Sequence, residues 1–367
     1  MKVEELKCIG CGVTIQTEDA KKEGYAPAAS LKNEEVVCQR CFRLRNYNEI
    51  QPVSLTGDDF LNILNGIGER DGLIVKIVDI FDFNGSWIPG LHRFVGQKEI
   101  VLIGNKSDLL PKSIKPNKVI HWMKNQAAKL GLKPVDVMLV SAFKGHGMDE
   151  ALQRIEALRN GKDVYVVGCT NTGKSTFINH IIQNATGEKE VITTSHFPGT
   201  TLDIVEIPLD DERAICDTPG IINDHQIAHY LDANDLKLIT PKSELKPKNF
   251  QLNAEQTLFI GGLVRFDFIS GERTSFQVYV SNRLDIHRTK LSNADNLYEK
   301  HKGVMLAPPS MDSLEDFPTF VRHEFSIKDD KTDIVISGLG WITVQQRGVI
   351  AVHAPRGVDV VVRPSLI

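Results

Sequence analysis

The 367-residue sequence has no uninterrupted apolar run near the roughly 20 residues that a helix needs to cross a bilayer. Its opening stretch, MKVEELKCIG, lacks the apolar core of a signal peptide, so the expectation is a soluble, cytoplasmic protein with no membrane partner. No region carries a marked excess of basic residues: 43 lysines and arginines stand against 47 aspartates and glutamates, and the signs stay close to balance along the chain. Charge alone therefore does not announce a nucleic-acid partner. Convincing internal repeats and low-complexity tracts are missing as well, which sets aside solenoids and disordered tails. Cysteine is scarce, six in all, and four of them fall into two CxxC pairs near the N-terminus. In a reducing compartment that spacing points to a metal rather than to disulfides.

What is present suits a globular chain of two or three domains, with 41% hydrophobic and 25% charged residues. Residues 1–52 are rich in turns, charge and cysteine and read as a small metal-nucleated module. From 53 to 222 short apolar runs alternate with helical patterns. The runs are LIVKIVD (73–79), EIVLIG (99–104), VDVMLVS (135–141), DVYVVG (163–168), DIVEIPL (203–209) and RAICD (213–217). Helices are expected over 117–130, 148–160 and 176–183. Such alternation predicts an α/β domain with a largely parallel sheet of six strands, covered on both faces. The last part, 223–367, reads as a β-rich α+β domain. It is expected to hold a helix around 224–238, a hairpin over 263–280 turning at Gly271, and a β-meander over 332–363.

Gly168-Cys-Thr-Asn-Thr-Gly173-Lys174-Ser175 fits a phosphate-binding loop between an apolar strand and an amphipathic helix. Backbone N–H groups of the loop and of the helix start, with Thr172 and Thr176 on either side of Gly173-Lys174-Ser175, would face phosphates. The Lys174 ammonium would meet the β- and γ-phosphates, and Ser175 would coordinate Mg²⁺. Asp217-Thr-Pro-Gly220 ends a later strand; it suits a water-mediated Mg²⁺ contact from Asp217 and a γ-phosphate contact from the Gly220 N–H, although it is also a good turn sequence. Asn105-Lys106-Ser107-Asp108 stands at another strand end. The Asp108 carboxylate can accept two hydrogen bonds that guanine supplies and adenine does not, while Asn105 ties loops together and the Lys106 stem covers the base. The plainer alternative is a helix cap by Ser107 or Asp108. Ser141-Ala142-Phe-Lys-Gly145 ends the next strand, where backbone N–H groups could meet guanine O6.

With these motifs in view, residues 73–221 resemble a translation-factor-type GTPase whose motifs have been rotated, so that the base-reading half precedes the phosphate loop. The chain is thus similar to the circularly permuted GTPases. Rotation is physically permitted because domain termini commonly lie close together, and joining them preserves the sheet. The opening falls after Gly220, so the segment that senses the γ-phosphate runs directly into the C-terminal domain.

In FPGTTLD (197–203) the resemblance puts Thr201 in the place of the switch threonine, a second Mg²⁺ ligand, with Thr200 as its rival. Ile221 stands where many small GTPases carry the glutamine that orients the attacking water. By the same resemblance Asn171 implies K⁺ bound beside the phosphates and a slow, K⁺-stimulated hydrolysis in which Lys174, Thr201 and Asn171 are the catalytic set. The competing account of Asn171 is an asparagine that tolerates an unusual backbone conformation.

Cys8-x-x-Cys11 and Cys38-x-x-Cys41 supply four thiolates for a tetrahedral structural Zn²⁺ site. Directly after them, Arg40, Arg43 and Arg45 interleave with Phe42 and Tyr47, a pattern that can stack on bases and touch phosphates or can simply be a solvated edge. SELKPKNF (243–250) and RLDIHRTK (283–290) are two further, weaker basic patches. His225 and His229 share a helical spacing and read as structural, and Trp87, Trp122 and Trp341 read as packing residues.

Zinc knuckle, permuted GTPase and β-rich C-terminal domain with GLGWITV and PRGVDVVVRPSLI together resemble the bacterial YqeH-type GTPases over nearly the whole chain. That resemblance implies a monomer that binds GTP and GDP and acts in assembly of the small ribosomal subunit, contacting 16S rRNA, ribosomal proteins or both. Two alternatives remain: a GTPase acting on transfer RNA or its modifying enzyme, and a nucleotide-gated protein-interaction switch without RNA contact.

Overall fold

Parallel strands arise where the sequence places short, continuously apolar runs between helices, and the register of those strands decides where chemistry can gather. The computed structural model describes residues 6, 14–18, 25–26, 31, 36, 57–186, 193–196, 203–209 and 213–367. The four cysteines of the CxxC pairs, the arginine cluster at 40–45, Thr200 and Thr201 lie outside the described residues.

Helix α1 (Gly57–Glu69) leads into β1 (Gly72–Asp79), followed by β2 (Ile100–Asn105), α2 (Pro116–Lys129), β3 (Asp136–Leu139), α3 (Met148–Arg159), β4 (Asp163–Gly168) and α4 (Lys174–Thr186). Three more strands, β5 (Thr193–His196), β6 (Asp203–Pro208) and β7 (Ala214–Asp217), complete a seven-stranded sheet in the order β3-β2-β1-β4-β7-β6-β5. The first five in that order run parallel; β6 and β5 are antiparallel to their neighbours. The sequence predicts six of these strands; β5, the polar edge strand TTSH, gives no apolar signal to find.

Burial on both faces follows from the alternation of strand side chains. From β1, Leu73, Val75 and Ile77 join a core with Met148 and Ile155 of α3 and Phe177 and Ile181 of α4. Ile74 and Val78 face the other way, into a core with Ile63 and Ile67 of α1 and Trp122 and Met123 of α2. That second core also takes in Tyr279, Val335, Trp341 and Leu366 from the C-terminal part.

The C-terminal part opens with α5 (Ala233–Ile239), β8 (Lys248–Leu252), β9 (Gln256–Ile260), β10 (Val264–Ser270), β11 (Thr274–Val280) and β12 (Ile286–Lys290). After α6 (Ala294–His301) come β13 (Phe320–Ile327), β14 (Thr332–Ile336), β15 (Gly340–Val344), β16 (Gly348–Pro355) and β17 (Val360–Pro364). They form two antiparallel sheets, β12-β9-β10-β16-β13 and β17-β14-β15-β11-β8. Phe266 and Phe268 of the first pack at 5.3 and 5.0 Å on Phe276 of the second, so the core lies between the sheets.

Three local expectations are corrected here. The strands at 263–280 are present, but they do not pair as a hairpin: β10 belongs to the first sheet and β11 to the second. The turn at Gly271, with φ 144°, carries the chain from one sheet to the other. Likewise β14 and β15 pair in sequence, but β16 leaves for the opposite sheet and β17 returns beside β14, so 332–363 is not a simple meander. The helix expected around 224–238 is broken into a 3₁₀ turn, Ile227–Tyr230, and α5, which Asp232 caps by accepting from the Asn234 and Asp235 N–H groups. A polar residue that can satisfy the first free N–H groups starts a helix afresh.

Between the two parts runs the segment 80–87, where Phe81, Phe83 and Trp87 are all buried. Phe81 lies 5.9 Å from the Trp341 ring, which is itself stacked at 4.9 Å on Tyr279. Arg363 of β17 donates to Asn84 Oδ1 at 2.7 Å and sits 4.7 Å from the Trp122 ring, whose indole N–H donates to the Pro364 carbonyl at 3.0 Å.

One buried cation stands out on the same side of β1. Lys76 is fully buried, 4.6 Å over the Trp87 ring, and its ammonium has no hydrogen-bond partner among the described residues. Burial pushes its pKa down to about 8. A fall of that size from 10.5 is worth about 3 kcal/mol of stability, lost in full below pH ~8 and regained as pH rises toward 10.5. Lys76→Met is therefore expected to raise the unfolding free energy in denaturant titrations at neutral pH by up to about 3 kcal/mol, with the gain shrinking above pH ~8. A loss of stability instead would show that the ammonium is better satisfied than this geometry allows.

Candidate functional site

The register brings four strand ends to one edge of the sheet: Asp79 faces Asn105, Ile77 faces Gly168, and Val166 faces Asp217. In an open parallel sheet this carboxyl edge is where ligands bind. The phosphate loop continues β4 from Gly168 and ends in the first turn of α4, so its N–H groups and the helix start converge on one point. Asn171 and Gly173 hold left-handed backbone conformations, φ 61° and 80°. A Cβ at position 173 would run into the Asn105 amide, which explains the glycine.

Lys174 and Asp217 are both buried, and the ammonium donates to the Asp217 carboxylate and to the Thr218 carbonyl. Burial pushes the Asp217 carboxyl up, and the neighbouring Lys174 charge opposes that rise. A group so placed is held ionised only by a cation. Oxygen donors such as the Asp217 carboxylate and the Ser175 hydroxyl in the first turn of α4 suit Mg²⁺, a hard cation. Among the described residues no group of three or more His, Cys, Asp or Glu side chains could hold a metal by itself.

The segment after Asp217 is stitched to the phosphate loop. Ile221 N–H donates to the Gly168 carbonyl at 3.2 Å, and the Ile221 carbonyl accepts from Thr170 N–H at 2.7 Å. A Cβ on Gly220 would press on the Thr170 backbone at 3.3 Å. Movement at 217–221 is thus felt directly by the loop that would bind phosphate.

The loops after β2 and β3 meet the phosphate loop from the other side. Asn105 Nδ2 donates to the Thr172 carbonyl at 2.9 Å, and its Oδ1 accepts from Ala142 N–H at 2.9 Å, so one amide clamps all three loops. The Ala142 N–H is engaged within the protein by that clamp. Lys106, with φ 64°, sends its ammonium to Asp79 at 2.6 Å and to the Asn171 carbonyl, which lays its stem across the gap between loops. Asp108 Oδ1 accepts from Ser141 Oγ at 2.6 Å, and that hydroxyl accepts from Lys144 N–H at 3.1 Å. A 3₁₀ turn starts at Ser107, but its cap position, Lys106, makes no side-chain capping bond; Asp108 is directed at the Ser141 loop instead.

Of the predicted site residues, Asn105, Lys106, Asp108, Ser141, Ala142, Gly168, Asn171, Thr172, Gly173, Lys174, Asp217 and Gly220 are thus linked by direct contacts or packing, and Ser175 and Thr176 extend the loop into α4. Asp79 was not anticipated. Its only signal is its place, an acidic residue at the end of a buried parallel strand. Cys169 is buried, donates to the Ser86 carbonyl at 3.4 Å, and has its thiol pushed up to about 11, so it is inert at neutral pH.

Away from this edge, His225 and His229 contact the carbonyls of Gly357 at 3.1 Å and Asn223 at 2.7 Å, structural roles. The two weak basic patches become neighbours. Asn282 Nδ2 donates to the Glu244 carbonyl at 2.8 Å, Lys246 N–H to Asn282 Oδ1 at 2.9 Å, and Lys248 to the Leu284 carbonyl. No helix among the described residues is long and apolar enough to cross a membrane.

Residues 163–256 match a family described as 50S ribosome-binding GTPase, and residues 273–366 one described as YqeH-like, C-terminal. The chain is 64% identical over its full length to a full-length Bacillus subtilis (strain 168) relative described as "Uncharacterized protein YqeH". It is 30% identical to the Arabidopsis thaliana protein named NO-associated protein 1, covering 98% of this chain and 76% of the relative. Human nitric oxide-associated protein 1 is 24% identical, with 99% and 75% covered.

The base-reading assignment predicts that Asp108→Asn lowers GTP affinity by about 10- to 100-fold while leaving the melting temperature of the ligand-free protein nearly unchanged, measured by titration calorimetry and thermal melts. Unchanged affinity would remove Asp108 from base recognition.

Proposed function

Because the chain belongs to the YqeH family of circularly permuted GTPases, we propose that it hydrolyses GTP as a switch in assembly of the small ribosomal subunit. That it is a GTPase follows from the family; the step it serves is our reading. The observation that carries the mechanism is the convergence of Lys174, Asp217, Asn105 and Asp108 on one sheet edge, with Ile221 hydrogen-bonded to the phosphate loop.

Lys174 would exchange Asp217 and the Thr218 carbonyl for the phosphates, and the charge on Asp217 would then be met by Mg²⁺. Ser175, Asp217 and Thr201 would hold that ion, which supplies charge neutralisation on the phosphates. Asp108 reads the base, Lys106 spans it, and Asn105 keeps the loops in register; Gly168, Thr172, Gly173, Thr176, Ser141 and Ala142 shape the pocket around the nucleotide. Ile221 carries no group that can orient a water, and a K⁺ bound by the exposed Asn171 would supply the missing charge. The left-handed backbone at Asn171 is a separate reason for asparagine there, so the ion has to be tested directly. Exchange of Na⁺ for K⁺ is expected to raise turnover several-fold in the protein as it stands and to have no effect in Asn171→Ala. A retained K⁺ response in that variant would assign the ion to another site.

We further read residues 1–52 as a zinc module on Cys8, Cys11, Cys38 and Cys41, 53–222 as the GTPase domain and 223–367 as the ribosome-facing domain of a monomeric, cytoplasmic protein. The adjacent basic segments 243–250 and 283–290 support contact with 16S rRNA, and ribosomal proteins are the other available partner. The C-terminal part shares a buried core with the GTPase domain, which argues for nucleotide signals passing as small shifts at 217–226 rather than as a swing of the whole domain. A second reading, a contact with the large subunit, is favoured by the printed description of the family matched at 163–256. Gradient sedimentation separates them. Tagged protein with a non-hydrolysable GTP analogue is expected to co-sediment with small-subunit particles and to leave them with GDP. Equal association in both states, or association with large subunits or transfer RNA alone, would contradict the small-subunit role.

A further inference from the structure

We propose that α6 and the loop after it, residues 294–320, form a docking face for a basic, partly apolar segment of a partner protein. Val304, Met305 and Met311 are 71%, 44% and 60% exposed and fall within eight residues of one another. Clustered exposed apolar groups mark interaction surfaces, and methionine adapts to varied partners.

The exposure is built in rather than a consequence of a loose loop. Gly303 N–H donates to the Leu306 carbonyl and Leu306 N–H to the His301 carbonyl, both at 3.0 Å. Further along, Ser310 N–H donates to Asp235 at 2.8 Å and Ser313 Oγ to Asp232 at 3.0 Å, tying the loop to α5. Gly303, with φ 76°, lets Met311 and Leu314 close over the turn, since a Cβ there would lie 2.7 Å from Met311 Sδ. Beside this ridge opens a cavity of about 370 Å³, with Tyr298 and Phe320 at 5.0 Å from one another among its walls and Asp295 and Glu299 at its rim.

The charge of the face selects the partner. Asp295, Glu299, Asp312, Glu315 and Asp316 are exposed, against the exposed Lys300 and the half-buried Lys302. Lys302 is paired with Glu299 at 2.8 Å, and Arg265 in the cavity wall is paired with Asp267 at 2.8 Å and Asp295 at 2.5 Å. An RNA backbone would meet net repulsion here. A lysine or arginine would meet the exposed Asp312, Glu315 and Asp316, with Met311 and its apolar neighbours for the rest of its segment. The basic segments at 243–250 and 283–290 leave RNA a different part of the domain. This inference rests on the proposed assembly role only for the cellular source of the partner, since it gives that role a protein contact.

The test uses the full chain with GTP and Mg²⁺, a fluorescent peptide alternating arginine and leucine, and polyuridylate as competitor. The combined variant Asp312→Lys, Glu315→Lys, Asp316→Lys is expected to weaken peptide binding about ten-fold or more at physiological salt, with GTP turnover unchanged. Met311→Ser is expected to weaken it several-fold with little change in salt dependence, and decides the matter alone if the triple variant loses its fold. Peptide binding equal to the unaltered protein in both variants, or displacement of the peptide by polyuridylate, would overturn the proposal. Absence of co-sedimentation with ribosomal particles would remove the assembly role while leaving the peptide result to stand or fall by itself.

Discussion

The structure turns on one short stretch, Asp79–Trp87, that is hydrogen-bonded on one side to the nucleotide loops and on the other to the C-terminal sheets. Asp79 holds the Lys106 ammonium, and the Ser86 carbonyl accepts from Cys169 in the phosphate loop. On the far side, Asp82 accepts from Gln226 at 2.8 Å, Asn84 accepts from Arg363, and the Gly85 carbonyl accepts from Asn223 at 2.7 Å. Burial pushes the Asp82 carboxyl up to about 6, with the Asp79 charge adding to the rise, so the stretch carries polar groups that would be costly without these partners. Around them Phe81, Trp341, Tyr279 and Trp122 make a shared apolar core, and rearranging any one member strains the rest.

This arrangement gives the rotated motif order a mechanical meaning. The chain leaves the Asp217–Gly220 turn, bonds Ile221 to the phosphate loop, and within five residues anchors Asn223 and Gln226 on the Asp82–Gly85 turn. Two short chains of contacts join the phosphate loop to the C-terminal part, one through 217–226 and one through Lys106 and Asp79. Both routes are contiguous contacts.

The phosphate loop is legible in the sequence because its chemistry is local. A glycine-rich turn between strand and helix, or an aspartate at a strand end, needs only its own few residues to be recognised. Parallel strands were legible for the same reason, as continuous apolar runs. The strands at 263–280 do not form the hairpin their sequence suggests because turn chemistry around Gly271 fixes where a chain bends, not which sheet receives the next strand. Asp79 and the 80–87 stretch passed unnoticed because their partners lie up to 279 positions away, as with Asn84 and Arg363, and no local pattern encodes such a pairing. The broken helix at 224–238 has a local cause after all, the Asp232 cap, which the apolar periodicity concealed.

The central claim is that the nucleotide site and the C-terminal sheets are one cooperative unit joined through Asp79–Trp87. Ligand binding stabilises whatever unfolds together with its site, by an amount set by concentration and affinity. Native-state hydrogen exchange with and without saturating GDP and Mg²⁺ tests this most directly. The account predicts that the slowest amides of β14 and β15 gain the same protection free energy as those of β1 and β4. Added protection confined to β1, β4 and the phosphate loop, with β14 and β15 unchanged, would contradict it.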